Sequence, residues 1–288
     1  MKIDDPRYDR NVRFFGTEGQ NTLSGLRATL VGVGGLGSPL TQHLALLGVG
    51  HIDLFDDEDL DDTNRNRFVG ARSDDPVPGS AKVDLAARLV REINPDITVH
   101  AFPVGLVSEE CFESVKRADW VFGCFDDDGP RSVLNELCAA YSKPYVDLAS
   151  DVPDDGVYGG RVFISKNGKG CLNCLDRRDI RRFFATEEEI DRERAIYGVD
   201  RALLGETGPS VASINGVVAS LAATEFMVGA TGMREPAQHL VYRADQSRVT
   251  SARNIPTAKC LVCEGSFGKG SAAGIERYLQ IAHLRRRR

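Results

Sequence analysis

A doubly wound α/β fold with a mainly parallel sheet is the architecture this sequence predicts, on three observations in its first half. Short apolar runs alternate with stretches of helical periodicity, a glycine-rich turn joins the first run to the first helix, and an aspartate closes the second run. Residues 28–33 (ATLVGV) are the first expected strand, followed by the glycine turn and a helix through Leu47. His51–Phe55 is the second strand. Lys82–Ile93 carries apolar residues at 83, 85, 86, 89, 90 and 93, the spacing of one helix face, and Asn94-Pro95 stops it. Residues 97–102 and 120–123 read as the third and fourth strands, 131–141 as a helix and 144–148 as a fifth strand. Ligands of such a sheet bind beyond the carboxyl ends of the strands.

The second half changes character. Residues 159–164 and 240–242 read as strands of an antiparallel C-terminal extension, and residues 210–228 as a long apolar helix. Between them, residues 175–209 are polar and of mixed charge, either a solvated helix with internal ion pairs or a mobile loop over the site. The four arginines at 285–288 read as a frayed, solvated tail or, alternatively, a contact for an acidic partner.

Composition narrows the function classes. A 288-residue chain that is 42% hydrophobic and 27% charged can bury a full core. A formal charge of -6 lacks the basic footprint of a general nucleic-acid binder. No apolar run approaches the ~20 residues that span a bilayer, and the N-terminus has no apolar signal core, so no membrane role and a cytoplasmic location are expected. The five histidines (43, 51, 100, 239, 283) form no recognisable cluster. Seven cysteines in a cytoplasmic chain point to metal or catalysis before disulfides.

The chemistry starts at Gly32-Val-Gly34-Gly35-Leu-Gly37-Ser38, between a strand and a helix. Gly32 permits the tight turn, Gly34 lets phosphate approach the backbone, and Gly37 lets the helix pack close to the strand. The helix N-terminus offers free N–H groups to an anion. The glycines alone leave NAD and ATP open. Asp56 stands 19 residues after Gly37, where an acid meets ribose hydroxyls. The string that follows it, through Thr63-Asn64-Arg65-Asn66-Arg67, brings cations that suit a triphosphate better than a nicotinamide. Cys171-x-x-Cys174 and Cys260-x-x-Cys263 supply four candidate thiolates for a closed, structural tetrahedral Zn²⁺, a zinc knot stapling the second half.

These motifs, in order, resemble those of the ubiquitin-activating-enzyme-like adenylyltransferases, the ThiF/MoeB/HesA group, from Arg7 to about Cys263. Arg7-Tyr-Asp-Arg10 is similar to the group's opening Arg-Tyr-x-Arg, and Gly19-Gln20 to its Gly-Gln. Gly32–Ser38 matches the nucleotide loop, the string from Asp56 to Arg67 its Asp-x-Asp-x-Val-x-x-Ser-Asn-x-x-Arg, and Lys82 follows at the corresponding place. Asp126-Asp-Asp-Gly-Pro-Arg131-Ser-Val-Leu-Asn135 is similar to Asp-Asn-x-x-x-Arg-x-x-x-Asn. The resemblance implies a Rossmann-like adenylation domain over 1–288, with a nucleotide-binding half (1–150) and a substrate and zinc half (151–288) containing the crossover segment 175–209. It implies Asp56 on the ribose, Asn64, Arg67 and Lys82 on the phosphates, Asp126 on Mg²⁺, and Arg10 reaching the triphosphate of a neighbouring subunit in a homodimer. Arg131 and Asn135 either join them or brace the loop around Asp126. Departures from the pattern are Glu58 in place of a second aspartate, Thr63 in place of serine, Arg65 in place of an apolar residue, and Phe68 in place of glutamine.

What the resemblance implies chemically is ATP-dependent adenylation of the C-terminal carboxylate of a ubiquitin-like or sulfur-carrier protein. The carboxylate attacks the α-phosphorus and pyrophosphate leaves. The nucleophile is already ionised at neutral pH, so no general base is needed, and Arg10, Arg67, Lys82 and Mg²⁺ offset the charge that builds on the leaving group. No cysteine lies between Cys174 and Cys260, so the product is expected as a bound acyl-adenylate without an enzyme thioester, and Cys111, Cys124 and Cys138 as buried residues. The competing readings are activation of a small carboxylate (a peptide or modified nucleoside), an NAD-dependent oxidoreductase, which leaves Arg10, Arg67, Lys82 and Asp126 without a role, and a silent scaffold.

Overall fold

The computed structural model describes residues 5–151, 157–166, 170–175, 210–252, 260–265 and 268–285. Of the crossover segment 175–209, residues 176–209 lie outside the described residues, as does the end of the arginine tail. One eight-stranded sheet organises the chain, in the order β3-β2-β1-β4-β5-β6-β7-β8. Its strands are β1 (Arg27–Val31), β2 (His51–Phe55), β3 (Thr98–Phe102), β4 (Trp120–Gly123), β5 (Tyr145–Asp151), β6 (Gly159–Ser165), β7 (His239–Arg243) and β8 (Arg248–Ala252). The pairings from β3 across to β5 are parallel, and those from β5 to β8 are antiparallel. This is the expected doubly wound sheet with its antiparallel extension.

The helices are α1 (Asp9–Gly25), α2 (Gly37–Leu47), α3 (Lys82–Ile93), α4 (Glu109–Arg117), α5 (Asp128–Ala140), a short α6 (Leu172–Leu175), α7 (Ala212–Ala230) and a last turn α8 (Ala282–Arg285). Strands β1, β2 and β4 are almost wholly buried, as central strands covered on both faces must be. On one face Leu40 and Leu44 of α2, Val83 and Val90 of α3, and Val218 and Phe226 of α7 pack on the sheet. On the other, Phe112 and Val115 of α4, Leu134 and Leu137 of α5, and Ile275 and Leu279 of the C-terminal segment form a second core.

Local chemistry sets the helix ends. Gly48 closes α2 in the left-handed conformation. Ser108 caps α4, whose first turn carries Glu109 and Glu110 and whose last carries Lys116 and Arg117, the charge order that the helix dipole favours. Helix α7, read from the sequence as a long apolar helix, is long and apolar enough by length and composition to cross a membrane, which corrects the expectation that no apolar run approaches that length. Here it packs against α2, β5 and β6, and the ring of Phe226 meets Trp120 and Phe122 edge-on at 5.3 and 5.4 Å. Truncating that ring leaves a cavity between α7 and the sheet. Phe226→Ala should therefore cost about 3–5 kcal/mol, read as a lowered urea midpoint at unchanged slope.

Candidate functional site

The strand order reverses between β1 and β4, and the chain leaves both strands at the same edge. Gly32 follows β1 with φ +90°, and a Cβ there would lie 2.6 Å from the Cys124 carbonyl oxygen at the end of β4. A Cβ on Gly37 would lie 2.0 Å from the Gly32 carbonyl oxygen. Gly34, between them, has nothing within 4 Å of its Cβ position, so its backbone is open to a ligand. No side chain caps the N-terminus of α2; Ser38 N–H donates to the Gly34 carbonyl at 2.9 Å and Pro39 has no N–H, so the N–H groups that can meet an anion are those of the glycine turn just before them. Gly35 is covered, with the Asn215 amide nitrogen 2.7 Å and the Arg67 Cδ 3.1 Å from where its Cβ would be. The buried Ser38 hydroxyl accepts from Val69 N–H at 3.0 Å, tying the turn to the loop after β2.

Asp56 stands over this turn. Its carboxylate accepts from Val33 N–H at 2.6 Å and from Glu58 N–H at 3.0 Å. Burial pushes its pKa up to about 6, against the pull of nearby Lys82 and of the two N–H donors. A carboxylate so placed gains from a pair of hydroxyl donors, as a ribose provides.

The loop after Asp56 brings Lys82 back to the turn. Lys82 opens α3, is 6% exposed, and places its ammonium on the Glu58 carboxylate. Arg67 bonds the Thr63 carbonyl and Asn66 while its stem lies over Gly35. Asn64 accepts from Asp61 N–H at 3.3 Å, completing a capping box on the turn Asp62–Asn64. Arg65 points elsewhere, donating to the Arg72 and Asp75 carbonyls at 2.6 and 2.7 Å. Phe68 is buried in the core beside α3.

Asp126 lies two residues beyond Cys124, exposed, and makes no hydrogen bond or ion pair with the described residues. The preceding carbonyl, of Phe125, is held by Arg131. Arg131 is 3% exposed and also grips both oxygens of the fully buried Asp147, at 2.9 and 2.8 Å. Arg131 is thus a brace for the Asp126 loop. Asn135, one turn further along α5, braces a different feature: it accepts from Leu172 N–H at 2.9 Å and bonds Cys171.

Cys171, Cys174, Cys260 and Cys263 converge, with all four sulfurs within 4.8 Å of one another. Cys171 and Cys260 are 3.7 Å apart, and Cys174 and Cys263 3.5 Å. A tetrahedral ion with bonds of about 2.3 Å to sulfur sets its ligands roughly 3.8 Å apart, so this donor set fits a thiolate-bound metal. Burial pushes the Cys171 thiol up to about 12. Cys111, Cys124 and Cys138 are buried in the nucleotide half, and desolvation raises all three thiols, which leaves them poor nucleophiles.

Arg10 is not brought to this cluster. It is exposed near the start of α1, two residues after Tyr8, whose ring packs on Gly48 and whose hydroxyl accepts from Asn94 at 2.6 Å. Gly48 ends α2, whereas the glycine turn begins it, about 16 Å away at 1.5 Å per residue. Two contributors carry no sequence signal: Asn215, which covers Gly35 from α7, and Asp147, whose partner Arg131 lies on the next helix back.

The model of the ThiF family matches residues 8–262. The chain is 29% identical over 265 residues to the sulfur carrier protein ThiS adenylyltransferase of Escherichia coli, covering 90% of this chain and 95% of that protein. It is 30% identical to the vegetative HesA protein of Trichormus variabilis, covering 89% and 88%. Among solved structures, Escherichia coli MccB with ATP superposes with a TM-score of 0.69 over 91% of this chain and 75% of that one, at 22% identity, a likeness of fold.

The raised pKa of Asp56 fixes a sign for pH. The folded protein holds a proton on Asp56 up to about pH 6, the unfolded chain only to about pH 4. That contribution to stability is complete below pH 4 and is lost as pH rises through 6. Urea titrations of the wild type and Asp56→Asn should show the wild type losing stability relative to the variant between pH 4 and 6.5, with a constant difference above pH 7.

Proposed function

The chain belongs to the ThiF family, and we propose that it is an ATP-dependent adenylyltransferase that activates the C-terminal carboxylate of a ubiquitin-like or sulfur-carrier protein. One observation carries the proposal: an open glycine backbone at Gly34, a ribose-type acid at Asp56 and a nearly buried ammonium at Lys82 meet at the crevice where the strand order reverses. The ThiS adenylyltransferase relative supplies the substrate class.

The backbone of residues 32–37 and the N-terminus of α2 receive the phosphates, and Asp56 accepts from the ribose hydroxyls. A carboxylate oxygen of the carrier forms a bond to the α-phosphorus as the bond to the bridging oxygen breaks, and pyrophosphate leaves. Lys82 sits beside that path, and Arg67 reaches it by releasing its own turn. Both act by placing positive charge where negative charge develops. Asp126, whose loop Arg131 holds through the Phe125 carbonyl and which has no partner among the described residues, is suited to one coordination position of a Mg²⁺ that would neutralise phosphate charge. The knot cysteines would hold Zn²⁺ with no open position, a structural role. With no cysteine in 175–209 and the thiols of the nucleotide half buried, the acyl-adenylate passes to another acceptor without an enzyme thioester.

The distance of Arg10 from its own glycine turn supports its action on a second subunit. A homodimer is also supported by Phe14 and Leu46, 63% and 54% exposed. A cytoplasmic setting suits free thiols and a nucleotide substrate.

Exchange of labelled pyrophosphate into ATP, dependent on the carrier, tests the reading. Arg10→Ala and Asp126→Ala should each lose most exchange, by about 10³-fold if Arg10 acts as other in-trans arginines do. A mixed dimer of the two variants should regain one working site. Losses below about threefold, or no rescue, contradict these roles. Metal analysis should find one zinc per chain. Cys174→Ser should lose it and lower the melting temperature.

A further inference from the structure

The proposed triphosphate site already holds an anion of the protein's own. Lys82 is nearly buried, and its ammonium rests on a carboxylate oxygen of Glu58, whose side chain is 61% exposed. The contact therefore comes from the solvent side, the side from which a phosphate must arrive. Backbone bonds fix Glu58 in this position. Its N–H donates to Asp56 at 3.0 Å and its carbonyl accepts from Lys82 N–H at 3.1 Å. Next to it, Leu60 N–H donates to Ser80 at 2.7 Å, and Asp59 pairs with Ala81. The segment carrying the ribose acid and the segment carrying the lysine are thus clipped together at Glu58.

Asp56 lies near Lys82, but Glu58 is the carboxylate in direct contact with it; a nearly buried ammonium that loses its contact partner is costly, and a phosphate cannot be present before the nucleotide binds. We propose that Glu58 is an internal stand-in for a nucleotide phosphate on Lys82. In the free protein its carboxylate neutralises the ammonium and keeps it aimed at the crevice. When nucleotide enters, repulsion between carboxylate and phosphate drives the exposed Glu58 side chain into water, and the phosphate takes its place. Nucleotide binding is then an exchange of anions on one cation, and only a ligand that carries phosphate can complete it. The resembling pattern has aspartate at position 58, where this sequence has the longer glutamate that contacts Lys82. The inference rests on the reading of Lys82 as a phosphate ligand.

Calorimetric binding of MgATP and of adenosine to the full chain, as wild type, Glu58→Gln and Glu58→Asp, tests it. Removing the competing charge should tighten MgATP binding about 3- to 5-fold in Glu58→Gln, the worth of a carboxylate–ammonium pair with one exposed partner. Glu58→Asp should shift it the same way by less. Adenosine, which brings no phosphate, should bind all three alike. Weaker or unchanged MgATP binding by Glu58→Gln overturns the stand-in role and makes Glu58 a support for Lys82. An equal shift for adenosine overturns it also, by placing the effect at Asp56. If the wild type binds no MgATP while its unfolding remains cooperative, the nucleotide reading itself fails.

Discussion

The approach of α2 to the end of β1 is the constraint on which the rest of the molecule depends. Gly37 sits so near the Gly32 carbonyl that a methyl group would overlap it, and Gly32 turns with positive φ against the Cys124 carbonyl. Any side chain at either position forces helix and strands apart. Because the turn is closed this tightly, the uncapped start of α2 faces the crevice between β1 and β4, with Gly34 bare above it. Asp56 reaches that crevice directly after β2, and the loop of residues 56–81 brings Lys82 back to it. The fold creates the anion site by backbone alone, and the side chains adjust its charge.

Helix α5 ties the two halves to this site. Its N-terminal loop presents Asp126, its second turn plants Arg131 on the buried Asp147, and Asn135 grips the cysteine knot at Leu172. Glu136 continues the line, bonding Arg277 and the Tyr278 hydroxyl of the C-terminal segment. A structural metal at the knot would thereby stiffen the helix behind the Asp126 loop. Arg161 of β6 also lies 3.5 Å from Asp147, so three elements meet on one carboxylate.

The parallel half was legible in the sequence because strands buried on both faces leave unbroken apolar runs, and because the glycine turn and Asp56 have fixed separations. Its boundaries moved where pairing decides them: β5 runs on to Asp151 because β6 pairs with it that far. Helix α1, helix α4 and strand β8 were not read. Helix α4 is mostly charged, and β8 is a short edge strand, RVTSA, whose partner lies on β7. At the site, residue types were legible and occupancies were not. The sequence offers Glu58 and Lys82 as separate motif positions, 24 residues apart, and only the folded chain brings them into contact. Likewise Arg65 belongs to the basic string after Asp56 but spends its donors on the Arg72 and Asp75 carbonyls. The cysteine pairs were visible by spacing, but their convergence to within 4.8 Å depends on the whole antiparallel extension.

The central claim is chemical: a carboxylate attacks the α-phosphorus of a nucleotide held on the glycine turn. Following label from ATP marked at the α- or at the γ-phosphorus, in the presence of a sulfur-carrier protein with a free C-terminus, tests it most directly. The account requires α-label to appear on the carrier as an acid-stable adenylate and γ-label to appear only in pyrophosphate. Transfer of γ-label to the carrier, or its release as orthophosphate alone, would contradict it.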